Sequence, residues 1–136
     1  MTQVNNGDII TTYSYDANGN LLSETTGGNH STFTYDDANR MTGLVNSYPS
    51  ADIEGETVTE TESYTYYPNG NKKTVTDMTG KLIHYTYDNA GRLTAETVDD
   101  AVTSYTYDGY NNRIGKVENG VQTSYLYDNR NRLTKE

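Results

Sequence analysis

The chain has 136 residues, no cysteine, and a formal charge of −9 from 19 Asp and Glu against 10 Lys and Arg. The lack of cysteine removes disulfides, zinc–thiolate centres and thiol nucleophiles together, and the acidic balance repels phosphate backbones, so nucleic acid is not an expected partner. No run approaches the ~18 apolar residues of a spanning helix, and Met1-Thr2-Gln3-Val4-Asn5 has neither the basic region nor the apolar core of a signal peptide, so membrane insertion is not expected either.

Leu, Ile, Val and Phe number only 21, a fraction that suggests disorder in a chain of this charge. Fourteen tyrosines argue otherwise. Each ring brings roughly 150–250 Å² of buriable surface and favours strands, so tyrosine can replace leucine as core material.

The chain opens on Val4-Asn5-Asn6-Gly7-Asp8-Ile9-Ile10, and Asn-Gly between β-rich segments predicts a tight turn. The first aromatic strand follows, and it is written six times. Tyr15, Tyr35, Tyr66, Tyr87, Tyr107 and Tyr127 are 20, 31, 21, 20 and 20 residues apart, the signature of an array. Two positions before each stands Tyr13, Phe33, Tyr64, Tyr85, Tyr105 or Tyr125, with Ser, Thr or Leu between. Alternation along a strand puts the paired aromatics on one face, predicting a half-buried strand with its tyrosines inward.

Asp16, Asp36, Asp88, Asp108 and Asp128 directly follow their tyrosines, with Tyr67 as the one departure. Three residues further on stand Gly19, Asn39, Gly70, Gly91, Asn111 and Asn131. Glycine and asparagine tolerate a left-handed backbone best, so this position requires positive φ. A type I turn that begins at Asp and ends on the left-handed residue fits both constraints, closing a bulged hairpin with the carboxylate capping turn amides. Return strands then begin at Leu21, Met41, Lys72, Leu93, Arg113 and Leu133. Gly27-Gly28-Asn29, Thr79-Gly80, Asp99-Asp100 and Asn119-Gly120 link to the next copy.

The metre breaks once, where eleven extra residues fall within about 46–62. This acidic insertion carries Asp52, Glu54, Glu56, Glu60 and Glu62; it reads as a surface loop, a pair of lengthened strands, or a contact loop for a basic partner. Residues 1–136 are thus expected to form a single array of six hairpins. Twelve strands at about 4.8 Å each make a sheet roughly 58 Å wide if flat, and accumulated twist curls a sheet that wide. The expected fold is all-β, a repetitive antiparallel β-hairpin strip coiling into an open spiral or partial shell.

Catalytic and metal chemistry find little support. Asp16-Ala17-Asn18-Gly19-Asn20 begins like a calcium loop but has Leu21 and Gly27 where glycine and glutamate are needed. His30 and His84 stand apart with no partner at metal spacing, and neither a P-loop nor a Gly-x-Ser-x-Gly elbow is present. The aspartates recur at turn positions, as structural residues do, so no enzyme activity, cofactor or metal is expected. Arg40, Arg92 and Arg132 share one register and read as cation–π or hydrogen-bonded support of the next hairpin, or as receptors for an acidic ligand. An exposed tyrosine ladder would bind a glycan.

Tyr85 to Leu93, Tyr-x-Tyr-Asp-x-x-Gly-Arg-Leu, resembles the YD repeat of the rearrangement-hotspot (Rhs) proteins, and Tyr105–Arg113 and Tyr13–Leu21 resemble its Gly-Asn variants. The resemblance covers the chain apart from the insertion. It implies a β-strip that forms part of a hollow shell, in a secreted or cell-surface setting. Shells of the toxin type carry many more repeats and an Asp-Pro-containing cleavage segment, whereas Pro49 and Pro68 here follow no aspartate. Three roles remain open: a structural segment of an encapsulating shell or surface scaffold, an extracellular filament subunit joined head to tail by strand completion, and an adhesin-like strip for a glycan or protein. The partners implied are further YD repeats of the same or neighbouring chains.

Overall fold

A computed structural model describes residues 2–6 and 9–136. The expected Asn6-Gly7 turn includes Gly7, which lies outside the described residues, as does Met1 at the expected head-to-tail joint. The backbone divides into two compact units, Met1–Thr65 with Val75–Gly80, and Tyr66–Thr74 with Lys81–Glu136.

In the first unit β1 (Thr2–Asn6), β2 (Ile9–Tyr15), β3 (Leu21–Thr26), β4 (Asn29–Tyr35), β5 (Met41–Pro49) and β6 (Thr57–Tyr66) pair antiparallel in chain order. Tyr66, the last residue of β6, falls in the second unit, and β7 (Lys72–Thr76) contributes its last two residues to the first unit and its first three to the second. In the second unit β8 (Leu82–Tyr87), β9 (Leu93–Val98), β10 (Ala101–Tyr107), β11 (Arg113–Glu118) and β12 (Val121–Ser124) pair in the same way, and β13 (Leu126–Tyr127) pairs with β14 (Leu133–Lys135). The fold is therefore all-β, an antiparallel hairpin strip with no helix among the described residues. Fourteen strands form where six hairpins require twelve. One of the extra two is β1. The other arises where the sixth aromatic strand is interrupted at Tyr125, whose N–H still donates to the Ile114 carbonyl at 3.0 Å.

Each return strand begins where the sequence places it, at Leu21, Met41, Lys72, Leu93, Arg113 and Leu133. The register shifts by one at Ser14/Tyr15, Thr34/Tyr35, Thr86/Tyr87, Thr106/Tyr107 and Leu126/Tyr127. Tyr15 opposes Leu21 and Ser14 opposes Ser23, so Leu22 is the extra residue of a β-bulge. The acidic stretch forms the outer halves of β5 and β6 around a turn at 50–56, closed by the Ser50 N–H to the Glu56 carbonyl at 2.8 Å.

Residues directly opposite in an antiparallel pair share a face. The row Tyr13, Glu24, Ser31, Asn46, Glu60 crosses the first unit on the tyrosine face, and Thr12, Thr25, His30, Ser47, Thr59 crosses it on the other. Along β6 the threonine side is exposed while Val58, Glu60, Glu62 and Tyr64 are covered. The glutamates tolerate this side because tyrosine hydroxyls reach them: Tyr48 Oη donates to Glu60 at 3.0 Å, and Tyr64 Oη donates to Glu62. The core is thin. Among the described apolar residues only Tyr64 and Val75 are buried, and most of the aromatic pairs are half-buried.

Candidate functional site

The repeated chemistry gathers in two rows, one of turns and one of tyrosines. In the turn at Asp88, the Asp88 N–H donates to the Arg92 carbonyl at 3.0 Å and the Gly91 N–H to the Asp88 carbonyl at 2.9 Å. Asp88 Oδ1 accepts the N–H groups of Ala90 (2.9 Å) and Arg92 (3.0 Å), while Oδ2 accepts Arg92 Nε at 2.7 Å. Asp36 and Asp128 hold their turns by the same contacts, and Asp16 and Asp108 do so with Asn20 Nδ2 or Asn112 Nδ2 in place of the arginine Nε. Positive φ occurs at all six turn positions: 89° at Gly19, 59° at Asn39, 92° at Gly70, 78° at Gly91, 70° at Asn111 and 58° at Asn131. Where Tyr67 replaces aspartate, Asn69 Oδ1 takes over and accepts the Asn71 N–H at 3.1 Å.

These bonds hold the carboxylates below the usual range. The first cause is the side-chain bond from Asn20, Asn112 or Arg132 at Asp16, Asp108 and Asp128, and the backbone N–H of Arg40 or Arg92 at Asp36 and Asp88.

Adjacent turns are also bonded to one another. In the first unit Asn18 Nδ2 and Asn20 Nδ2 donate to Asn39 Oδ1 at 3.1 and 2.8 Å. In the second, Arg92 Nη1 donates to Asn111 Oδ1 at 3.0 Å and Asn112 Nδ2 to Asn131 Oδ1 at 3.1 Å. An asparagine at the left-handed position thus does more than tolerate its φ. Its amide oxygen accepts from the preceding repeat.

The second tyrosine of a copy works the same way. Tyr35 Oη donates to the Leu21 carbonyl at 2.9 Å, Tyr107 to Leu93 at 2.8 Å and Tyr127 to Arg113 at 2.9 Å. Each acceptor opens the preceding return strand. Tyr67 reaches the Tyr85 carbonyl at 3.0 Å and meets Tyr87 edge-on, with centroids 6.2 Å apart. Burial raises the pKa of Tyr85, Tyr87 and Tyr105, and the Glu60 bond raises that of Tyr48.

The first aromatics, Tyr13, Phe33, Tyr85, Tyr105 and Tyr125, are half-buried, as are Tyr66, Tyr87 and Tyr107; Tyr15 is 47% exposed. Arg40, Arg92 and Arg132 each donate Nε to their own turn aspartate, and Arg92 also lies over the Tyr107 ring, 5.0 Å from its centroid. Sequence reasoning missed Asn20, Asn71 and Asn112, which share the register of those arginines. The signal was present, since that position holds only Asn or Arg, both side-chain N–H donors. Arg113, 4.3 Å from the centroid of Tyr105, was missed as well. No group of three or more His, Asp and Glu among the described residues is arranged to hold a metal ion, and no helix there is long and apolar enough to cross a membrane.

Fold and contacts together define a hairpin-repeat protein in which the first copy is bonded to the second, and the fourth to the fifth and the fifth to the sixth, through turn and tyrosine. A model of the RHS repeat matches residues 15–48 and 66–101, just over half of the chain. The chain belongs to the RHS repeat family, a family of structural repeats. Among solved structures it is similar to a chain in the crystal structure of TcdB2-TccC3-Cdc42, with a TM-score of 0.75 at 22% identity. That match covers 92% of this chain and 7% of the other, so the chain spans a small part of the length of its structural neighbour. A comparison with curated proteins returned no match.

Proposed function

We propose that residues 1–136 act as one non-catalytic array of six hairpins, centred on Tyr15, Tyr35, Tyr66, Tyr87, Tyr107 and Tyr127 and carrying an acidic insertion at about 46–62. The array forms a wall segment of an Rhs-type encapsulating shell or of a secreted or cell-surface scaffold. The observation that carries this reading is the direction of the bonds. Asn20, Arg92 and Asn112 donate forward to the next turn, and the hydroxyls of Tyr35, Tyr107 and Tyr127 donate back to the previous repeat, as in the bond from Tyr107 to the Leu93 carbonyl; Tyr67, in the copy that lacks the aspartate, donates forward instead. Units that complete each other in one direction extend by addition, with nearest-neighbour contacts supplying the stability. The aspartates and tyrosines have structural roles in this reading, and the partners are further YD repeats. Similarity to a short stretch of a much longer chain supports a place within a larger polypeptide.

The test is electron microscopy of the parent polypeptide. A closed wall around internal density supports the shell, and an open rod refutes it. The filament reading draws on β14, whose residues are all exposed. Concentration-dependent fibres of residues 1–136, abolished by Lys135→Pro, would favour it.

A further inference from the structure

Asparagine followed by glycine can modify itself, because glycine has no Cβ to keep its nitrogen from the asparagine side chain. Asn18-Gly19, Asn69-Gly70 and Asn119-Gly120 are such pairs, and Asn6-Gly7 includes Gly7, outside the described residues. Asn18, Asn69 and Asn119 are all exposed, so solvent access does not separate them. Hydrogen bonding does. The glycine nitrogen attacks only after losing its proton, and in the turns that follow the aromatic strands that proton is held: the Gly19 N–H donates to the Asp16 carbonyl at 3.2 Å and the Gly70 N–H to the Tyr67 carbonyl at 2.9 Å. The side chains are held as well, Asn18 Nδ2 by Asn39 Oδ1 at 3.1 Å and Asn69 Oδ1 by the Asn71 N–H at 3.1 Å. At Asn119-Gly120 neither the side-chain amide nor the Gly120 N–H has a hydrogen-bond partner among the described residues.

The surroundings differ too. Asn119 and Gly120 alone connect β11 to β12, with φ of 51° and 77°, the two positive values of a type I′ turn. β12 is four residues long and meets β11 through Gly115 to Glu118 only, so this turn opens at the expense of a short hairpin. We propose that Asn119 deamidates spontaneously ahead of Asn18 and Asn69, and that its isoaspartyl product releases β12. The Gly120 N–H gives its proton to hydroxide, and the nitrogen attacks Asn119 Cγ. An N–Cγ bond forms, the Cγ–Nδ2 bond breaks, and Nδ2 leaves as ammonia with a proton taken from water, which returns the hydroxide. One water then opens the cyclic imide. Addition at Cγ leaves aspartate at this position, whereas addition at the Asn119 backbone carbonyl leaves the main chain running through the side-chain carboxyl as isoaspartate. Aspartate fits this turn, since Asp99 and Asp100 hold φ of 47° and 67° between β9 and β10 in the preceding repeat. Isoaspartate does not, because it adds an atom to the main chain of a turn whose length sets the register of the hairpin. The chemistry is the same in a wall segment and in a free strip.

The experiment is ageing of the intact chain in mildly alkaline buffer, with a parallel incubation in urea. Peptide mapping by mass spectrometry follows each site, and electron-transfer fragmentation separates aspartate from isoaspartate. In the folded chain Asn119 should react about tenfold or more faster than Asn18 and Asn69, where hydrogen bonds must break before the attack. In urea those bonds are gone, and the three rates should converge to within about threefold. Hydrogen exchange at the amides of Val121 to Ser124 should rise in the isoaspartyl form and stay at the wild-type level in Asn119→Asp. The proposal is overturned by Asn18 or Asn69 reacting as fast as Asn119 in the folded chain, or by Asn119 staying intact there while the urea sample reacts. It is overturned equally by the same ranking in urea, which would assign it to neighbouring sequence, or by an isoaspartyl form whose amides at 121–124 remain protected.

Discussion

Two substitutions at Gly91 separate backbone strain from lost contact. The residue has φ 78°, and an added Cβ meets nothing closer than Asn71 Nδ2 at 3.7 Å, an ordinary van der Waals distance. Space is therefore not limiting, and any cost of a side chain comes from the backbone. Valine is branched at Cβ and strained at positive φ, by about 1–3 kcal/mol, so Gly91→Val should lose more than ~1 kcal/mol. Asparagine enters the left-handed region more easily, and at this position its amide oxygen faces the donor Asn71, as Asn111 faces Arg92. One such bond contributes about 0.5–1.5 kcal/mol net, enough to offset residual strain of order 1 kcal/mol. Gly91→Asn should therefore fall within about 0.5 kcal/mol of wild type. Urea unfolding followed by far-UV circular dichroism measures both, with stability read from the midpoint at unchanged slope. A Gly91→Val change within ±0.3 kcal/mol would refute the turn argument, and a Gly91→Asn as unstable as the valine variant would refute the ladder.

Tyr107→Phe deletes one hydroxyl and its 2.8 Å bond to the Leu93 carbonyl while keeping the ring under Arg92; a loss of about 0.5–1.5 kcal/mol in urea midpoint is expected, and none would mean the bond contributes nothing. Asp99 and Asp100 hold φ of 47° and 67° in a two-residue turn, so Asp100→Gly should raise stability by about 0.5–1 kcal/mol, and a lower melting temperature would contradict this. The five turn aspartates have folded pKa values held below 3.8, so the folded state binds fewer protons than the unfolded one as they titrate. Their contribution is complete above the unfolded value and is lost as pH falls through the folded values; a pH series of urea midpoints that stays level below pH 3.8 would refute it. Tyr48, Tyr85, Tyr87 and Tyr105 are raised above 10.0, so a second loss should begin as pH rises past 10.0, accompanied by tyrosinate absorbance at 295 nm.

Much of the strand pattern was legible because period and turn chemistry agree. The spacing of Tyr15, Tyr35, Tyr87, Tyr107 and Tyr127 located the aromatic strands, and the Gly or Asn four residues after each located the return. What joins the copies was less legible. That Asn39, Asn111 and Asn131 accept from the preceding turn depends on two turns 19 or 20 residues apart lying side by side, which no local propensity encodes. The split at Tyr125 was also hidden. Its copy differs in having Leu126 where the others carry Ser or Thr, a change that by itself signals no break in a strand. Glu60 and Glu62 looked like solvated charge. Alternation from Tyr64 puts them on the tyrosine face, and only the hydroxyls of Tyr48 and Tyr64 make that placement tolerable.

The bulge explains why the array is built from tyrosine instead of a larger aliphatic. A second residue inserted opposite Tyr15, Tyr87 or Tyr107 interrupts the ladder at the start of the return strand. The carbonyls of Leu21, Leu93 and Arg113 lie at these interruptions, and each accepts a hydroxyl from Tyr35, Tyr107 or Tyr127 of the following copy. Leucine or phenylalanine would bring comparable apolar area but would leave those carbonyls to water or unsatisfied. The extra residue has its own task, because Thr42 and Thr94 place a hydroxyl against Thr34 and Thr86 on the opposite face. In the repeats where these bonds occur, a bulge that aims the turn also creates an acceptor for the next tyrosine. Twenty residues are thus a unit of chain length, while the unit of satisfied hydrogen bonding extends into the following hairpin. That is the physical reason for the tyrosine to recur at the period of the turn.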